Sequence, residues 1–138
     1  MHQRPVIGVT LDSEQPGGYS KYPWYAIRQN YADAIEGALE HEQPNPRHQP
    51  GHAVAIGIGT LLHRIVGTAT MQVNSAHHQA VRDPGAFAVV NAVAPDSVIE
   101  GVEDARYRFC LGVQWHPEFL IDPGDRRIFD ALIAACRA

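Results

Sequence analysis

Between Glu40 and His52 the chain is polar and carries Pro44, Pro46 and Pro50, and this stretch restricts the possible folds more than any other. Proline removes a backbone donor and fixes φ, so the segment cannot be a buried strand and reads as an irregular surface loop. It stands where a strand is due. Upstream, Pro5-Val6-Ile7-Gly8-Val9-Thr10 is a short, continuously apolar run of the kind buried in a parallel sheet, and Gly17-Gly18 marks a loop. From Trp24 to Leu39, the residues Trp24, Ile27, Tyr31, Ala34, Ile35 and Ala38 recur at the spacing of an amphipathic helix. After a strand, a loop and a helix, an α/β chain delivers a second parallel strand within about two to six residues. None follows here, which makes the junction of Leu39 and Glu40 suspect.

Beyond the loop the elements are short. Ala53-Val54-Ala55-Ile56 reads as a strand, Leu61, Leu62 and Ile65 as one helical turn ending before Gly67, and Met71 to Ser75 as the next strand. Segments from Phe87 to Val93 and from Ser97 to Val102 flank the turn signal Pro95-Asp96 and predict an antiparallel hairpin. Tyr107 to Trp115 predicts the last strand, with Leu111, Val113 and Trp115 on one face, Gln114 and His116 on the other, and Trp115 in the core. A final helix starts with Asp122 as N-cap, Pro123 at its first position and Asp125 in its first turn. Its apolar stripe runs through Ile128, Phe129, Leu132, Ile133 and Cys136.

A chain of 138 residues is expected to form a single domain over residues 1–138, large enough to bury a core without disulfides or metal. Its formal charge of −4 argues against a nucleic-acid partner or a polybasic membrane surface. With no signal-peptide pattern and no apolar run long enough to span a bilayer, a cytoplasmic protein is expected. Cys110 and Cys136 form no disulfide framework or zinc-ligand spacing, and both read as core packing. His41, His48 and His52 sit in the proline-rich loop without supporting carboxylate or cysteine spacing, so a solvated loop is expected there, with neither metal nor cofactor.

The chemistry concentrates in Gly112-Val113-Gln114-Trp115-His116-Pro117-Glu118. On a strand, side chains two residues apart share a face, so His116 and Glu118 can meet. A carboxylate beside an imidazole fixes its tautomer and stabilises its protonated form, as a nucleophile's base requires. No nucleophile is evident. Cys110 lies six residues before His116, about 20 Å away in an extended segment.

Four segments carry a resemblance: Arg4 to Thr10, Val73-Asn74-Ser75-Ala76-His77-His78-Gln79, Ala94 to Glu103, and Leu111 to Glu118. Together they resemble the class I glutamine amidotransferase-like superfamily, most closely the gamma-glutamyl-gamma-aminobutyrate hydrolases. That resemblance implies a flavodoxin-like, three-layer α/β sandwich with a mainly parallel sheet and an antiparallel hairpin, truncated here. It implies a Cys-His-Glu triad that cleaves a small gamma-glutamyl amide through a thioester, with His116 as base and Glu118 as its orienting acid. The family's cysteine stands on a Gly-rich elbow that also supplies oxyanion donors; no segment here matches that elbow, and the resemblance implies an internal deletion near residues 39–40 that removes it with central strands. Asn74, Ser75, His77, His78 and Gln79 would bind substrate, although His77 and His78 could instead hold a loop by hydrogen bonding. Two readings follow: a hydrolase lacking its nucleophile, and therefore inactive alone, or a non-catalytic binding or assembly module. Sheet edges exposed by missing strands would favour a homo-oligomer.

Overall fold

The computed structural model describes residues 41–77 and 80–137. The strand and helix expected before Leu39, the junction at Leu39 and Glu40, His78 and Gln79 lie outside them. The elements are β1 (His52–Ile56), α1 (Leu61–Val66), β2 (Thr70–Val73), β3 (Val89–Val93), β4 (Ile99–Glu103), β5 (Leu111–Val113), a 3-10 turn (Pro117–Phe119) and α2 (Pro123–Arg137).

The strands form one sheet in the order β2-β1-β3-β4-β5, and each neighbouring pair is antiparallel. The expected mainly parallel sheet is therefore corrected among the described residues, and the connections give the reason. Returning along a five-residue strand takes a crossover of roughly 17 Å, whereas the six-residue α1 rises only about 9 Å. The link from β2 to β3 is longer but carries no described helix to make a crossover, and the remaining two, a hairpin at Pro95-Asp96 and a short loop before β5, suit antiparallel neighbours.

Alternation in β1 and β2 turns Val54, Ile56, Met71 and Val73 inward, where they pack with Ala92, with Leu62 and Val66 of α1, and with Trp115 and Ile128. Both described helices thus join one core cluster, and no described element forms a third layer. Thr60 caps α1 by accepting the His63 N–H at 3.1 Å, and Gly67 ends it at φ 70°, a conformation that glycine adopts without strain. At the start of α2, Asp122 Oδ1 accepts the Gly124 N–H while Asp125 Oδ2 accepts the Asp122 N–H. This reciprocal pair is a capping box, with Asp122 in the expected place. Asp125 Oδ1 also takes the indole N–H of Trp115 at 3.1 Å. Burial pushes the Asp125 carboxyl up despite these hydrogen bonds.

Both cysteines depart from expectation: each is exposed. Cys110 belongs to the loop leading into β5, and Cys136 lies near the far end of α2, whose buried residues are confined to its first turns at Gly124, Asp125 and Ile128.

Two irregularities shape the β3 and β4 hairpin. Val90 pairs with Val102, Ala92 with Gly101, and Val93 with Ile99. Asn91 is therefore an extra residue on β3 and Glu100 an extra residue on β4. Such bulges break the strand alternation and re-aim the side chains they carry. Asn91 Nδ2 turns to Glu103 Oε2 at 2.9 Å, and the Glu103 carboxylate also accepts the Leu61 and Leu62 N–H groups that open α1, at 2.7 and 3.1 Å. Glu100 turns into a group of histidines described below.

Candidate functional site

Strand β5 ends at Val113, short of the predicted Trp115, and His116 and Glu118 meet through a turn rather than along a strand. His116 precedes the 3-10 turn, Pro117 opens it with its fixed φ, and Glu118 follows. His116 Nδ1 lies 2.7 Å from Glu118 Oε1. A carboxylate can only accept, so Nδ1 carries the proton and Nε2 of the neutral ring carries the lone pair. The two side chains are 41% and 58% exposed, open enough for a reacting group to approach.

Asn74 holds this turn from below. Its Oδ1 accepts the His116 N–H at 2.8 Å, and its Nδ2 donates to the carbonyls of Arg47 at 2.9 Å and His116 at 3.4 Å. Asn74, Ser75 and His77 are all buried, and the side chains of Asn74 and Ser75 bond to groups within the protein.

A second group gathers beneath the loop after Glu40. Residues 41–43 run antiparallel to 75–77: the His77 N–H donates to the His41 carbonyl and the Gln43 N–H to that of Ser75, both at 2.9 Å. Gln43 also fastens the proline-rich loop by donating to the carbonyls of Asn45, Pro46 and Gln49. His41 is thereby buried and the side chain of His52 is 7% exposed, which corrects the solvated-loop expectation for both, while His48 is exposed as expected. His41 Nδ1 stands 3.1 Å from Glu100 Oε1, and His52 Nε2 and His77 Nε2 each stand 3.4 Å from the same oxygen. Among the described residues, neither Glu100 oxygen nor His52 Nε2 has a partner with the alignment of a hydrogen bond. The charges still couple. Burial opposes ionisation of both groups, but Glu100 raises the pKa of His52, while His52 and His77 lower that of Glu100.

Ser75, His41 and Asp96 have the connectivity of a serine triad, with Ser75 Oγ 3.2 Å from His41 Nδ1 and His41 Nε2 3.0 Å from Asp96 Oδ2. The hydroxyl, however, is fully buried and donates to the His41 carbonyl at 2.8 Å. It is a structural hydroxyl. Sequence periodicity missed Glu100, because a bulge resets the parity of its strand. His52 was legible in principle, two residues before the inward Val54.

Comparisons with known proteins agree with this architecture. The Peptidase C26 family matches residues 36–118, more than half of the chain. A glutamine amidotransferase-like protein of Rickettsia prowazekii is 38% identical over 105 residues, covering 75% of this chain and 37% of the relative. The gamma-glutamyl-gamma-aminobutyrate hydrolase PuuD of Escherichia coli is 34% identical over 107 residues, covering 72% of this chain and 42% of the relative. The chain thus spans well under half the length of these curated relatives. The crystal structure of a GMP synthase component from Thermoplasma acidophilum superposes with a TM-score of 0.56 at 16% identity, covering 70% of this chain and 47% of that one, and shows a shared fold. Among the described residues no helix is long and apolar enough to cross a membrane. From the extent of the family match, the chain belongs to the Peptidase C26 family, whose matched region here closes on the His116-Pro117-Glu118 turn.

Proposed function

We propose that this chain carries the base half of a cysteine gamma-glutamyl hydrolase site, with a small gamma-glutamyl amide as substrate. The supporting observation is the 2.7 Å contact between His116 Nδ1 and Glu118 Oε1 in an open turn. In that role Nε2 takes the proton of a cysteine thiol, and Glu118 stabilises the imidazolium that forms. The thiolate attacks the gamma-carbonyl carbon, the imidazolium returns the proton to the departing amine, and water then cleaves the thioester by the same base. Asn74 is a positioning residue, since it fixes the backbone of His116 from both its amide atoms. Of the five residues expected to meet substrate, Asn74, Ser75 and His77 serve this inner scaffold, which leaves His78 and Gln79 for substrate contact.

The nucleophile is the part this chain does not supply, so the chain alone is expected to release no aminobutyrate from gamma-glutamyl-aminobutyrate and no ammonia from glutamine. The base should still act on a reactive ester. Slow cleavage of p-nitrophenyl acetate should fall severalfold in His116→Ala and stay unchanged in His48→Ala. Gamma-glutamyl turnover that disappears in Cys110→Ala would identify a nucleophile within the chain and overturn this reading.

A further inference from the structure

We propose that His41, His52, His77 and Glu100 form a closed, four-coordinate zinc site that ties the loop after Glu40 to the sheet. One potential ligand atom from each residue lies within 4.8 Å of all the others. Tetrahedral zinc with bonds of about 2.0–2.1 Å separates its ligand atoms by roughly 3.3 Å. The three imidazole nitrogens stand at 3.1, 3.4 and 3.4 Å from Glu100 Oε1, so three edges of that tetrahedron are already drawn. The longer separations close as the rings turn onto the ion.

The surrounding atoms prepare the lone pairs. Asp96 can only accept, so His41 Nε2 bears the proton at their 3.0 Å contact and Nδ1 is left as a ligand. The Ala53 carbonyl does the same for His52 through Nδ1 at 3.3 Å, leaving Nε2 toward Glu100. A carboxylate or carbonyl on the outer nitrogen is the usual support of a metal-bound histidine. Among the described residues His52 Nε2 and both Glu100 oxygens lack hydrogen-bond partners, and Glu100 is 0% exposed. A buried carboxylate left so is costly unless a cation completes it. One divalent ion balances Glu100 and Asp96 together, and the bulge at Glu100 is the device that aims the carboxylate inward. Four protein ligands leave no open position, which makes the site structural.

The test uses the tag-free chain, stripped with chelator and then titrated with zinc chloride or cobalt chloride alone. One zinc per chain should survive dialysis, and cobalt should give the intense visible bands of tetrahedral coordination. Glu100→Gln and His52→Gln should each weaken zinc binding at least tenfold, Asp96→Asn should weaken it about 10–100-fold, and His48→Ala should leave it unchanged. If a ligand variant fails to fold, the cobalt spectrum of the unaltered chain decides. Absence of stoichiometric zinc, a weak octahedral cobalt spectrum, or full zinc affinity in folded Glu100→Gln and His52→Gln would overturn the proposal.

Discussion

Replacing Trp115 with alanine is expected to lower the free energy of unfolding by about 3–5 kcal/mol, the range for emptying a large aromatic site in a packed core. Trp115 is buried among strand and helix residues in the hydrophobic cluster of the described residues, and the small size of that cluster leaves little to refill the cavity. The loss extends to the start of α2. The indole N–H is a partner of Asp125 Oδ1 at 3.1 Å, and removing it leaves a buried carboxylate with its capping contacts alone. Trp115→Phe keeps most of the packing and isolates the hydrogen bond, so it should cost about 1–2 kcal/mol. Urea unfolding followed by circular dichroism measures both. Equal stability of the unaltered chain and Trp115→Ala would show that the sheet and α2 do not fold as one unit.

A loss of similar size, about 3–5 kcal/mol, is expected for Glu103→Ala, since each donor left unsatisfied costs about 1–3 kcal/mol. This carboxylate is buried at the end of β4 and accepts from three donors: the Leu61 and Leu62 N–H groups and Asn91 Nδ2. A helix of six residues has too few internal bonds to hold itself, so α1 depends on this cap and on Thr60. Alanine leaves all three donors without their acceptor, two of them buried away from water. Glu103→Gln keeps the shape and one acceptor oxygen and should cost less than half as much. If hydrogen exchange shows α1 equally protected in Glu103→Ala and the unaltered chain, the carboxylate is not what starts the helix.

These two positions also show which features the sequence made legible. Trp115 was readable as core because period-two alternation carries through Leu111 and Val113 to it. The β3 and β4 hairpin was readable from Pro95-Asp96, and the start of α2 from Asp122-Pro123 with Asp125. Each rests on neighbours in the chain. Glu103 and Glu100 were not readable, because one caps a helix some forty residues away and the other sits on a bulge that breaks alternation. The direction of strand pairing failed for a related reason: the lead strand and helix suggested parallel crossovers, whereas α1 is too short to make one and the link from β2 to β3 carries no described helix. His41 looked solvated because its partners, the 75–77 backbone and Glu100, are distant in sequence. The His116 and Glu118 contact was anticipated by the wrong element, since a proline turn rather than a strand brings the two together.

Whether Glu118 holds His116 as an oriented base, as proposed above, is read most directly from the nitrogen-15 spectrum of the His116 imidazole. The 2.7 Å contact places the proton of the neutral ring on Nδ1, so the spectrum should show the Nδ1–H tautomer, shifting toward the Nε2–H form of a free imidazole in Glu118→Gln. An Nε2–H tautomer in the unaltered chain, or a spectrum indifferent to Glu118→Gln, would contradict the account.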